Sequence, residues 1–196
     1  MDKKMIQKIL PTLCALLISN CIFAETNIIF INTAEGATEG LGILSCRGLS
    51  RSLNLPDVLY TRYGRADAIY VPDPSKQVNE RSGLYFNYRP IMTIAPTSIK
   101  QGINISSNFG FDDTEKVMNN LLGQTNKTIF IAWNNKQIES MLKTIGTKQN
   151  NNELRSVSIT ENEHDLFYHI KIKDDKKLEF YIENQNLNNL NTFCNG

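Results

Sequence analysis

The chain has 196 residues, 41% apolar and 21% charged, with a net charge of +1. That length holds one domain with its own core and leaves little room for a second. The near-neutral balance gives no general electrostatic case for binding nucleic acid.

Residues 1–24 read as an export signal. Lys3, Lys4 and Lys8 make a positive start, Ile9 to Ile18 is a short apolar stretch interrupted by Pro11, and Ile22-Phe23-Ala24 offers a cleavage site before Glu25. About ten apolar residues are too few to cross a bilayer, so no transmembrane span is expected. A lipoprotein signal ending at Cys21 fits less well, because Asn20 stands where a small residue is expected. The plain alternative is a packed N-terminal helix. With cleavage near Ala24 the mature domain is 25–196, periplasmic or secreted, and its net charge is −1. Cys46 and Cys194 then remain. In an oxidising compartment they either pair or stay as partly buried thiols.

The mature chain opens on Ile28-Ile29-Phe30-Ile31, a short buried strand, followed abruptly by the small and polar residues Asn32-Thr33-Ala34-Glu35-Gly36. In an α/β fold the loop at the carboxyl end of the first strand is a usual place for a ligand. Ala34 to Gly42 is a glycine-rich loop. Ser45 caps a helix carrying Leu49, Leu53, Val58 and Leu59, broken or kinked at Pro56. Ala68 to Val71 is a second buried strand, ended by Pro72 and Pro74. Ser75 to Asn87 reads as an irregular surface loop. Ile91, Ile94 and Ile99 mark a helix disturbed by Pro96, and Ile103 to Ile105 a short strand.

Asp112-Asp113-Thr114-Glu115 opens a helix with Val117, Met118, Leu121 and Leu122 on one face, its acidic start favouring the helix dipole. Thr128 to Trp133 is the fourth strand. Ile138, Met141, Leu142 and Ile145 form the stripe of the next helix, stopped by Gly146. Phe167 to Ile172 and Leu178 to Ile182 alternate around Asp174-Asp175 and read as a C-terminal β-hairpin. The last ten residues are expected to be loose. Strand and helix alternate through the first two thirds. The expected fold is therefore α/β: a three-layer sandwich with a mostly parallel central sheet flanked by helices, plus the hairpin.

In this order of elements the chain from about Asn27 to Leu187 resembles the histidine phosphatase (phosphoglycerate mutase-like) superfamily. Its first strand ends in Arg-His-x-x-Glu or a close variant, where Ile31-Asn32-Thr33-Ala34-Glu35 stands here. The helix Leu44 to Leu53 is similar to the superfamily's Leu-x-x-x-Gly-x-x-Arg-Ala segment. Asp67-Ala68-Ile69-Tyr70 is similar to its Asp-x-Ile strand, and Arg89-Pro90-Ile91-Met92-Thr93-Ile94 to its Arg-x-x-x-Thr-Ala helix start. Ala132-Trp133-Asn134-Asn135 falls where one branch writes Trp-Glu-His.

The resemblance implies a phosphohistidine mechanism, in which one histidine takes the phosphoryl group and arginines hold it. Thr33 falls at the nucleophile, Asn32 at the first arginine, Asn135 at the second histidine and Asn134 at the acid before it. Arg89 and Glu35 alone keep the expected types. The chain has two histidines, His164 and His169, neither at a motif position. A threonine hydroxyl needs a neighbouring base, and an amide does not supply one near neutral pH. Losing Arg at Asn32 removes a bidentate, permanently charged clamp.

The expectation is an inactive member with no catalytic residues, whose pocket binds a phosphate-like anion through Arg89, Thr33, Asn32 and Asn135, or meets a protein partner. The alternatives are a phosphomonoester hydrolase with altered residues, using Thr33 or Glu35, and a secreted interaction protein in which the pocket is irrelevant. No cofactor is implied. His164 and His169 with Cys46 or Cys194 have no metal-ligand spacing, so no metal is expected. Trp133 reads as core or pocket wall, Asp112 and Asp113 as helix-start residues, and Lys76 and Lys100 as solvated lysines or the border of a phosphate site.

Overall fold

In β1 (Glu25–Asn32), Ile28 and Phe30 face one side of a sheet and Ile29 and Ile31 the other, all four fully buried. A run of β-branched and aromatic residues with no polar face is the pattern of a strand covered on both sides. This computed structural model describes residues 25–190 and Cys194, and the expected leader 1–24 lies outside the described residues.

After β1 the chain forms α1 (Cys46–Tyr63), β2 (Ala68–Pro72), β3 (Gln77–Glu80), β4 (Gly83–Phe86), α2 (Arg89–Gln101), β5 (Ile105–Phe109) and α3 (Thr114–Leu121). It continues through β6 (Thr128–Trp133), α4 (Asn135–Lys148), α5 (Asn152–Arg155), β7 (Leu166–Lys173) and β8 (Leu178–Asn184). Six strands form one sheet in the order β5-β2-β6-β1-β7-β8. The first four are parallel, and β7 and β8 extend the sheet antiparallel to their neighbours. The fold is the expected three-layer α/β sandwich, with the C-terminal hairpin built into the edge of its sheet.

Two cores sandwich the sheet. On one face Leu55 and Leu59 of α1 and Ile94 of α2 pack on Ile29, Ile31, Ile69, Phe130 and Ala132. On the other, Val117, Met118 and Leu121 of α3 and Ile138, Met141, Leu142 and Ile145 of α4 pack on Ile28, Phe30, Ile129, Ile131 and Trp133. Each strand thus divides its side chains by alternation between the two layers.

Several local expectations shift. The stretch 75–87 contains the hairpin β3–β4 rather than a bare loop. The third strand starts at Ile105, two residues later than the pattern suggests. Helix α1 continues through Pro56. Its inner face carries Gly48, Arg51, Ser52, Leu55 and Leu59, while Leu49 and Leu53 are 38% and 48% exposed. Gly146 does not end α4. It is buried within the helix, where a Cβ would come within 2.7 Å of the Arg155 amide nitrogen, so the glycine lets α5 pack closely.

Of the C-terminal segment expected to be loose, the described residues Leu187, Asn188 and Cys194 are held in place. Leu187 is buried, Asn188 Oδ1 accepts a 2.7 Å hydrogen bond from Arg51, and Cys46 and Cys194 form a disulfide.

Candidate functional site

β1 and β6 lie side by side, Asn32 opposite Trp133, but their chains leave the sheet in opposite directions. The connection after β1 leads to α1 on one face, and that after β6 leads to α4 on the other. Such a divergence opens a crevice at the carboxyl ends of the strands. Here it is a cleft of about 780 Å³. Asn32, Thr33, Arg89, Asn134, Asn135 and His164 line it, with Lys76, Glu80, Asp112, Asp113, Lys136 and Glu161 also bordering it.

The floor is fixed from several directions. Asn32 and Thr33 are 2% and 1% exposed. The Thr33 amide donates to Trp133 O at 3.0 Å, and the Ala34 amide donates to Thr93 Oγ1 at 2.9 Å. Thr93 in turn donates to the Arg89 carbonyl at 2.8 Å, so the first turn of α2 is tied to the end of β1. Asn32 Nδ2 donates to Glu163 O at 2.7 Å.

Arg89 crosses the cleft wall. Its Nη2 donates to Thr33 Oγ1 at 3.1 Å, and Nη1 lies 3.6 Å from Glu80 Oε1 on β3. The side chain is 17% exposed, and its buried Nε has no hydrogen-bond partner among the described residues. Gly36 makes this placement possible, since a Cβ there would stand 3.0 Å from Arg89 Cζ. Because Thr33 Oγ1 accepts from Arg89, its own proton is free to be donated into the cleft.

Glu35 turns away from the cleft. Arg51 donates to it twice, Nε to Oε2 at 3.0 Å and Nη2 to Oε1 at 2.8 Å, and Arg47 Nε lies 3.1 Å from Oε1. Burial pushes its carboxyl up, but the Arg51 hydrogen bonds, a backbone hydrogen bond and the charges of Arg51 and His164 together outweigh that and hold it below the usual carboxylate range. It borders a second cleft, of about 570 Å³, which shares Arg89, Glu161 and His164 with the first.

Asn134 Oδ1 accepts from Asn87 Nδ2 at 3.2 Å, and Asn135 Oδ1 accepts from the Lys136 amide at 2.9 Å. Asn135 Nδ2 also reaches Thr160 O at 3.3 Å. Trp133 is fully buried, its indole N–H on Phe111 O at 2.8 Å. Asp113 is held by Lys116 and by the Gly110 amide, and Asp112 accepts from Gln137 at 3.1 Å. Lys76 reaches the cleft, whereas Lys100 pairs with Asp57. Among the described residues no group of three or more His, Cys, Asp or Glu side chains is placed to hold a metal ion. No helix among them is long and apolar enough to cross a membrane.

His164 is the residue that sequence motifs leave out of the site and the fold brings into it. Its Nδ1 lies 2.7 Å from the Thr33 carbonyl oxygen. A carbonyl only accepts, so Nδ1 carries the proton and Nε2 the lone pair. Burial pushes the imidazole below its ordinary pKa. The Thr33 hydrogen bond and Glu35 oppose that shift, while Arg89 and Arg51 reinforce it. The signal lies in the topology: β7 runs antiparallel to β1 with Phe167 opposite Ile31, so the residues just before β7 arrive where β1 ends.

The α/β fold is like that of histidine phosphatase (phosphoglycerate mutase-like) structures. A structure of the protein histidine phosphatase SixA complexed with tungstate superposes with a TM-score of 0.55 at 10% identity, over 81% of this chain and 97% of that one. Phosphoserine phosphatase from Entamoeba histolytica, in complex with 3-phosphoglyceric acid, gives 0.53 at 10% identity, over 83% and 98%. Phosphoglycerate mutase from Plasmodium falciparum gives 0.51 at 12% identity, over 80% and 89%. These likenesses define the fold. No protein-family model and no curated protein matches the sequence.

Proposed function

We propose that this is an exported protein of the histidine phosphatase fold that holds a small phosphate-like anion in the cleft and does not turn it over by a strand-end histidine. The observation that carries the reading is Arg89. Its guanidinium is mostly buried, faces the cleft, and donates to Thr33 Oγ1 while its Nε has no protein partner among the described residues. Thr33 supplies a second donor. The solved structures of this fold that contain tungstate and 3-phosphoglyceric acid support the same ligand chemistry.

Electrostatics restrict the ligand. Lys76, Arg89 and Lys136 share the cleft with Glu80, Asp112, Asp113 and Glu161. The mixed lining gives no long-range positive funnel, so capture depends on short contacts with Arg89 and Thr33 rather than on steering. Hydrogen bonds to charged groups are worth about 1.5–3 kcal/mol each. Calorimetric titration of residues 25–196 with inorganic phosphate tests this: Arg89→Ala should weaken binding by about ten- to a hundredfold. Unchanged affinity in that variant would remove the cleft from the reading.

A second reading, phosphomonoester hydrolysis by altered residues, draws on His164, which returns an imidazole to the cleft. It expects turnover that is lost in Thr33→Ala or His164→Gln. The absence of any turnover above those variants would leave the binding reading alone.

A further inference from the structure

We propose that His164 is an anion-binding residue of the cleft and takes up a proton when a phosphate-like dianion binds, so that capture is coupled to pH. This deepens the reading of the cleft as an anion site and rests on it.

The imidazole has one nitrogen committed and one to spare. Nδ1–H is held by the Thr33 carbonyl at 2.7 Å, and Nε2 makes no hydrogen bond among the described residues. The ring lines both clefts, as Arg89 does. Thr33 is the shared anchor, for its carbonyl takes His164 and its hydroxyl takes Arg89. An anion seated on Arg89 and the Thr33 hydroxyl therefore lies beside the imidazole.

The charges around His164 come from every neighbouring element. Glu35 follows β1, Arg51 and Arg47 lie on α1, Arg89 opens α2, and Glu161 and Glu163 belong to its own segment. Glu35 is neutralised by Arg51 and Arg47. With the cleft empty, burial and the two nearby guanidinium groups keep the imidazole neutral. A bound dianion reverses the local sign, and an opposite charge within hydrogen-bond reach favours the protonated form. The proton comes from the buffer to Nε2, and Nε2–H then donates to a ligand oxygen. The buffer acid loses the proton that forms the Nε2–H bond, and no bond between heavy atoms forms or breaks.

Linkage makes the coupling reciprocal: if the anion raises proton affinity at His164, protons raise anion affinity there. Sulfate is the suitable probe, because it stays doubly charged across the titration range of histidine. Two measurements on residues 25–196 test the inference. Calorimetry at neutral pH in two buffers of different ionisation enthalpy counts the protons taken up. Proton NMR follows the two imidazoles with and without sulfate; His169, which bonds to Asn27 near the start of β1 and to Glu183 on β8, is the internal control.

The expected result is net proton uptake on sulfate binding, with an upward shift of the His164 titration alone. Affinity should rise as pH falls, approaching about tenfold per pH unit at most. His164→Gln should abolish the uptake and flatten the profile to roughly twofold over the same range. Sulfate binding without proton uptake, or with an unshifted His164 resonance, would overturn the coupling and leave the anion site standing. Failure of the wild-type protein to bind either sulfate or phosphate would overturn both.

Discussion

Arg51 Nη1 lies 2.6 Å from Asp165 Oδ1, with the two side chains 1% and 8% exposed. The same guanidinium donates to Glu35 at 2.8 and 3.0 Å, to Gln185 Oε1 at 3.2 Å and to Asn188 Oδ1 at 2.7 Å. One α1 residue thus joins the loop after β1, the lead into β7 and the segment after β8. Removing it leaves two largely buried carboxylates without their main counterion.

Arg51→Met should therefore destabilise the protein by about 3–5 kcal/mol, the usual consequence of breaking a buried pair on one side. Urea unfolding at neutral pH measures this. The acid side carries a second signature. Glu35 is held below the usual carboxylate range by Arg51, against the upward push of burial. A depressed folded pKa contributes stability that is present above the unfolded value and lost as pH falls through the folded one. The wild-type protein should thus lose this share as pH drops below the usual carboxylate range, and Arg51→Met should have little of it left to lose.

Much of the fold is legible in the sequence because the signals are local. The apolar runs at Ile28 and Thr128 and the stripe Ile138-Met141-Leu142-Ile145 each state their own structure, and their alternation implies the layers. Arg51 and His164 are harder to place. Arg51 sits on a helix whose leucines suggest a different inner face, because a deep ion-pair network took the positions that Leu49 and Leu53 would have filled. His164 reaches the cleft only through the pairing of β7 with β1, a contact between residues 131 apart in the chain. The polar residues Asn32, Thr33, Asn134 and Asn135 that line the cleft stand at strand ends the sequence marks, whereas the His164 imidazole beside them is not marked by any local pattern.

The Cys46–Cys194 disulfide fastens the C-terminal tail to the start of α1 across a separation of 148 residues. Constraining so long a loop in the unfolded chain is worth about 5 kcal/mol in the chain-entropy account. Replacing both cysteines with alanine should lower stability by up to that amount while leaving phosphate affinity close to wild type, since the bridge lies outside the cleft lining. Paired denaturation and titration experiments check this, and a large loss of affinity would place the tail in control of the cleft.

The neutral imidazole of His164 has its own effect on stability. Burial lowers its folded pKa from the ordinary value of 6.5. Between the folded and unfolded values the unfolded chain binds more protons, so stability rises with pH across that window and falls as pH drops below about 6.5. His164→Gln should flatten this part of the stability profile in anion-free buffer. Sulfate should flatten it too, by supplying the partner that the imidazolium lacks. A wild-type profile with the same slope as the variant would mean that the folded protein charges His164 as readily as the unfolded chain does.

The sharpest separation of binding from folding lies at Gly36. Its Cβ, if present, would stand 3.0 Å from Arg89 Cζ and Nε and 3.3 Å from Nη1, and from no backbone atom among its three nearest neighbours. The atoms it meets belong to the end of a flexible side chain, so the guanidinium moves by a few tenths of an ångström and the fold has little reason to change. Gly36→Ala should therefore cost well under the roughly 1–3 kcal/mol of overpacking in a rigid core. Its effect should fall on the 3.1 Å contact between Arg89 Nη2 and Thr33 Oγ1 and on the anion seated there. The expected result is about tenfold weaker phosphate binding, ~1.4 kcal/mol, with a nearly unchanged unfolding midpoint. Gly48→Ala is the counterpart, since a Cβ there would come within 2.2 Å of the Glu35 carbonyl oxygen. That clash is with backbone, so this variant should lose stability instead. If Gly36→Ala binds phosphate like the wild type, the position of Arg89 does not set the affinity of the cleft.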